Sequence, residues 1–121
     1  MSRFILTRGW IECDFEQVRK IKESNVSFAK NSNKYSLSLE MTELYKKCWH
    51  YPSEEINWIS IISFGANING VAIYYIKDMV SEICAKEKVD GYFRIDDEEE
   101  QSYTEWFITD GNLIEKTNNK N

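Results

Sequence analysis

Asp90-Gly-Tyr-Phe-Arg-Ile-Asp-Asp-Glu-Glu-Glu-Gln-Ser-Tyr-Thr-Glu-Trp-Phe-Ile-Thr-Asp-Gly-Asn-Leu-Ile-Glu115 is the stretch whose reading decides the fold. Its apolar residues alternate, as a half-buried strand requires. Phe93 and Ile95 point one way, while Tyr92, Arg94 and Asp96 point the other. After the polar run, Trp106 and Ile108 share a face, with Tyr103, Glu105 and Phe107 opposite. Aromatic and β-branched residues fill both arms, which suits strands. Asp97 to Ser102 cannot continue either arm, because adjacent carboxylates repel and need water. The stretch therefore reads as a β-hairpin with a negative tip. Asp110-Gly111 marks a second tight turn, since glycine supplies the positive φ such turns use. Leu113 and Ile114 then suit a short return strand.

This stretch also carries almost all of the chain's acidity. Its nine acids face one base, Arg94, whereas residues 1–89 hold 11 acids against 12 bases. The net charge of -5 is thus local. Such a balance disfavours nucleic acid or an anionic membrane as a direct partner, since both need a basic footprint. A basic protein surface is the natural complement. The alternative reading of the tip is a solvated loop.

A chain of 121 residues with 42% hydrophobic content suits one domain with a real core, here expected over residues 1–117 with a frayed tail at 118–121. The longest apolar runs are far short of a membrane span. Met1 to Trp10 lacks the apolar core of a signal peptide, so a cytoplasmic location is expected. Cys13, Cys48 and Cys84 are odd in number and widely spaced, which suits free thiols better than a disulfide framework.

Upstream of the hairpin, Phe4 to Cys13 reads as a strand, with Gly9 as a candidate bulge. Asp14 followed by Gln17 resembles a capping box, and Phe15, Val18 and Ile21 make a helical face, so a helix of about ten residues is expected. Ser24 to Lys34 reads as a loop. A short extended entry to Leu37 precedes a helix from Ser38 to Cys48, stopped by Pro52. Trp49-His50-Tyr51-Pro52 reads as an aromatic turn. Ile56 to Phe64 carries apolar groups on both faces and reads as a central strand. Residues 70–86 keep a helical stripe through Ala72, Ile76, Met79, Val80 and Ile83, which outweighs a competing strand reading over 70–76. The order predicts an α+β domain, a mainly antiparallel sheet with helices packed on one face, and repeated β-α units point to a ferredoxin-like topology.

No catalytic signature stands out. Cys48 and His50 are the only close soft-ligand pair, and a zinc site would need Cys13 and Cys84 to join them. Asp96 to Glu100 lacks the spacing of a calcium loop. Phosphate-cradling glycine motifs and a nucleophile elbow are missing, so neither an enzyme nor a cofactor is expected. The candidate partner-contact residues are Asp96, Asp97, Glu98, Glu99, Glu100 and Glu105, with Trp49, His50 and Tyr51 as aromatic anchors. Trp58 and Trp106 read as core filling. The sequence sets no oligomeric state.

Three segments, Arg8-Gly9-Trp10-Ile11-Glu12-Cys13, Phe64-Gly65-Ala66-Asn67-Ile68-Asn69 and Trp106-Phe107-Ile108-Thr109-Asp110-Gly111, together with size and acidity, give the chain a likeness to small bacterial immunity proteins. Such proteins are encoded beside contact-dependent-inhibition and other polymorphic toxins. The resemblance implies tight, stoichiometric binding to one cognate toxin domain, often a basic nuclease. Two rival readings are a phage-type acidic inhibitor of a host defence protein, and a small enzyme or ligand-binding domain whose pocket would contain His50 or a buried carboxylate.

Overall fold

The computed structural model describes residues 4–30 and 32–120. Six strands form one antiparallel sheet: β1 (Phe4–Cys13), β2 (Trp49–His50), β3 (Ser60–Asn69), β4 (Asp90–Asp97), β5 (Ser102–Thr109) and β6 (Asn112–Asn119). Their spatial order is β2-β3-β1-β4-β5-β6. Helices α1 (Phe15–Ala29), α2 (Leu39–Lys46) and α3 (Ile73–Lys86) pack on the sheet. The first four strands have the order β4-β1-β3-β2, with α1 and α2 between β1 and β2 and α3 between β3 and β4. This is the split β-α-β arrangement of ferredoxin-like domains, with β5 and β6 added as a meander beyond β4. The sequence-based expectation of an α+β domain with helices on one face holds.

Alternation sorts the side chains. Ile5, Thr7, Ile11 and Cys13 of β1, Ile62, Phe64 and Ile68 of β3, Phe93 and Ile95 of β4, and Trp106 and Ile108 of β5 are all buried. They meet Val18 and Ile21 of α1 and Tyr75, Ile76, Met79, Val80 and Ile83 of α3. Between Ile11 and Thr7 lies Gly9. A Cβ there would sit 2.4 Å from a ring carbon of Phe93 and 2.3 Å from the Tyr92 carbonyl oxygen. The register runs unbroken through Gly9 on both sides, so no bulge forms; glycine is used to admit the Phe93 ring.

Several elements differ from expectation for identifiable reasons. α1 has 15 residues rather than about ten. Its capping box is present, Asp14 accepting from the Gln17 amide while Gln17 reaches back to the Asp14 amide. The helix then continues through Ser24 and Asn25, whose side chains are buried despite their loop-like composition. Asn25 donates to the Tyr51 hydroxyl at 2.8 Å, which ties the helix to the chain after β2. The segment leading to Leu37 is a 3-10 turn over Ser32–Tyr35 rather than extended chain; Ser36 takes a positive φ of 58° and Ser38 caps α2. The aromatic turn at Trp49 is instead the two-residue edge strand β2. β3 starts at Ser60, not Ile56, and lies one strand in from the β2 edge rather than at the centre. Trp58, expected in the core, is 81% exposed, and Ile56, Ile59 and Ile61 are exposed with it. Trp106 is in the core as expected, at 1% exposure. A 3-10 turn over Gly70–Ala72 leads into α3, so residues 70–76 are helical. β6 is eight residues long, and Asn118 and Asn119 pair with Tyr103 and Ser102 rather than fraying. Asn121 lies outside the described residues.

Candidate functional site

The acidic run does not stand apart as a row of five equivalent carboxylates. Asp96 and Asp97 belong to β4, and the turn proper is Glu98–Gln101, closed by Gln101 at a φ of 50°. Asp96 is 6% exposed and faces away from the helices, beside Leu6 and Tyr103 on the neighbouring strands. Arg8 reaches it from β1, Arg94 donates through Nε at 3.1 Å, and Lys120 Nζ lies 3.1 Å away. Burial alone would raise the Asp96 pKa. The hydrogen bonds from Arg94, Lys120 and Arg8 outweigh that and hold the carboxyl well below its ordinary range. Arg94 also stacks on the Tyr103 ring, its guanidinium carbon 4.1 Å from the centroid.

Asp96 is therefore the hub of an internal ion cluster, which withdraws it from the expected docking set. Lys120 extends the cluster to Glu98, and its backbone amide donates to the Gln101 carbonyl at 2.9 Å. The last described residue thus buttresses the turn. Asp97 accepts from the Glu100 amide at 3.2 Å, which shapes the loop. Glu98, Glu99 and Glu100 are exposed at its end. Glu105 is half-buried and accepts from the Tyr92 hydroxyl at 2.7 Å and from Asn118 at 3.2 Å, so it organises the sheet surface.

The three proposed anchors separate. Trp49 is 6% exposed, packs on Phe64 and Phe93, and is corrected from contact residue to core residue. Tyr51 is half-buried against Trp49, with Lys22 above its ring. His50 alone is exposed, on the β2 edge opposite Ser63. The burial of Trp49 is a property of the cross-strand pair Trp49–Phe64, which local sequence does not encode.

Between α1, β2 and α3 lies a cavity of about 120 Å³ lined in part by Asn25, Trp49, Tyr51, Tyr75 and Met79. Asn25 Oδ1 and Trp49 Nε1 are buried without a partner there. Cys13 and Cys84 are free thiols pushed up to about 11, both chiefly by burial, with Asp14, Glu87 and Glu12 adding to the effect at Cys13. Such thiols are poor nucleophiles. Among the described residues, no three His, Cys, Asp or Glu side chains are grouped to hold a metal ion.

Sequence reasoning missed the sheet face that the helices leave uncovered. Trp10, Tyr92, Phe107 and Ile114 are cross-strand neighbours on β1, β4, β5 and β6. Ring centroids are 5.2 Å apart for Trp10–Tyr92 and 5.5 Å for Tyr92–Phe107. Trp10 is 45% exposed, Phe107 40% and Ile114 65%, and Leu6 and Ile61 are exposed on the same face. A contiguous apolar row of this kind is the usual mark of an interaction surface. The signal was available: the residues alternate with the core residues in every strand.

Comparison with protein-family models, with curated proteins and with solved structures returned no match for this chain. No helix among the described residues is long and apolar enough to cross a membrane.

Proposed function

We propose that the protein is a stoichiometric protein-binding inhibitor of the immunity type, which neutralises a toxin domain with a basic surface. The observation that supports this reading is the end of the β4–β5 hairpin. Glu98, Glu99 and Glu100 are exposed there on a base held by the Arg8, Arg94, Asp96 and Lys120 cluster. The backbone of this turn is pinned by Asp97 and by the Lys120 amide, and Glu98 is itself paired with Lys120, so the turn loses little conformational freedom on binding and presents its charge from a defined place. Docked in the phosphate-binding cleft of a nuclease, it would speed association and exclude the substrate. Asp96 has a positioning role in this scheme, and contact falls to the turn itself.

The test is protection. Cells producing the toxin domain encoded beside this gene should grow when they also produce this protein. The purified pair should form a one-to-one complex whose association rate falls as salt rises. Changing Glu98, Glu99 and Glu100 together to glutamine should slow association about tenfold or more at low salt, as expected for lost steering. Protection with unchanged association kinetics would move the contact elsewhere. A neighbouring gene product that neither harms cells nor binds would reject the immunity reading. Binding to a host defence protein instead would favour the phage-type alternative.

A further inference from the structure

We propose that the uncovered sheet face binds a second copy of this chain, face to face, about a two-fold axis that runs along the row Trp10, Tyr92, Phe107 and Ile114. This does not rest on the immunity reading and uses a different surface.

The argument is self-complementarity across β1, β4 and β3. Two residues to one side of Trp10 on β1 is Glu12, and two residues to the other side is Arg8. On β4 the corresponding residues around Tyr92 are Asp90 and Arg94. The register places Glu12 opposite Asp90 and Arg8 opposite Arg94. On β1 and β4 one flank of the aromatic row is thus acidic and the other basic; on β5 and β6 the basic flank continues as Glu105 and Lys116, opposite each other in register, and the other flank as the neutral Thr109 and Asn112. A two-fold axis along the row exchanges the flanks while keeping each strand over its own copy. It therefore sets Glu12 over Arg8 and Asp90 over Arg94, with aromatic over aromatic between them. A two-fold parallel to the strands would instead stack like charge on like charge. Arg8 and Arg94 each give part of their guanidinium to Asp96 and keep further N–H groups for a partner.

β3 carries the same symmetry in shape. Its residues on this face include Ile61, Ser63 and Gly65, with Ser63 opposite Trp10 and Gly65 opposite Arg8. Ile61 is 45% exposed, while a Cβ built on Gly65 meets nothing within 4 Å. The proposed axis puts the Ile61 side chain over the open space at Gly65 of the other copy, and the reverse. Antiparallel sheets pack face to face about 10 Å apart with strands within about 30° of alignment, which this arrangement satisfies. The β4–β5 turn begins six residues beyond Tyr92, about 20 Å along the strand, while the Asp110–Gly111 turn lies about 10 Å from the row. Each acidic turn therefore projects past the other copy, and the dimer leaves two of them free at opposite ends.

Edge-to-edge pairing through β6 is the poorer way to self-associate. The two-fold-symmetric antiparallel registers with the greatest overlap place Glu115 against Glu115 or Lys116 against Lys116, and charged edges of this kind block strand pairing.

Sedimentation equilibrium from about 1 µM to about 1 mM, the range of weak to moderate association, tests the proposal. The wild type should be dimeric within that range. Gly65→Leu, which has open space in the monomer, and Trp10→Glu should each raise the dissociation constant at least tenfold, with circular dichroism spectra unchanged. Gly65→Val should weaken the dimer, and adding Ile61→Ala should restore it to within about threefold, since knob and hole then trade places across the axis. A wild type that stays monomeric throughout overturns the proposal and leaves the face to a different protein. A dimer indifferent to both Gly65→Leu and Trp10→Glu overturns it too, by placing the contact on another surface. If Ile61→Ala fails to rescue Gly65→Val, the orientation of the axis is rejected.

Discussion

The two faces of this sheet are made from alternate residues of the same strands, and both are rich in aromatic side chains. On one, Phe93 and Trp106 are sealed beneath helices; on the other, Trp10, Tyr92 and Phe107 lie open beside arginine and carboxylate. Both faces carry aromatics, so aromatic side chains alone do not decide which face is core. Two features do. The helices α1 and α3 bring a matching apolar stripe to one face only. The open face interleaves its aromatics with Glu12, Arg8, Asp90 and Arg94, charges that no covering helix could accept without partners. Burial thus follows from what each strand's neighbours supply.

The sharpest way to break the comparison is to truncate matched tryptophans. Trp106→Ala should cost roughly 3–5 kcal/mol, because it empties a buried site and leaves Glu115 without the indole N–H it accepts at 2.9 Å. Trp10→Ala should cost roughly 1 kcal/mol or less in the monomer, as the side chain already faces water on one side. Urea denaturation of the two variants measures the contrast, and comparable losses would mean that the open face is covered in solution.

A pair of glycines sharpens it further. Gly9 and Gly65 sit on adjacent strands with opposite facing. Gly9→Ala forces a Cβ against the Phe93 ring and the Tyr92 carbonyl, and should destabilise by roughly 1–3 kcal/mol as an overpacked site does. Gly65→Ala meets nothing and should be neutral or slightly stabilising, within about 0.5 kcal/mol. Thermal melts read both directly. Equal effects would show that backbone propensity, not facing, governs these positions.

Much of this architecture was legible because it is periodic or local. Alternation marked β1 and the hairpin, the Asp14–Gln17 pair marked the start of α1, and a long stripe marked α3. The failures share a cause. The second half of α1 is held by Asn25 and Tyr51, a pair 26 residues apart, and polar composition hid it. Ile56, Trp58 and Ile59 look like core and are exposed, because apolarity does not reveal whether a covering element exists. The acidic run was legible as charge, but its division was not. Lys120 lies 24 residues beyond Asp96, and Arg8 lies 88 before it, so only the folded sheet brings them together.

That division supplies the smallest effect and the most specific one. Asp96 is buried on the open side of the sheet, and its cations are partly exposed, so water can recover much of what they lose without it. Asp96→Asn should therefore cost roughly 1–2 kcal/mol near neutral pH, below the usual penalty for breaking a deeply buried pair. Its pH dependence identifies it. The folded-state pKa lies below that of an ordinary aspartate, so the unfolded chain takes up the proton first. The stabilisation is thus complete above about pH 4 and is lost as pH falls below that toward the folded-state value. Wild type and Asp96→Asn should differ by a constant amount at neutral pH and converge as acid is added, in stability curves measured by urea at each pH. A gap that stays constant down to pH 2 would mean that the carboxylate is not held by Arg8, Arg94 and Lys120, and the rigid base assigned to the acidic turn would go with it.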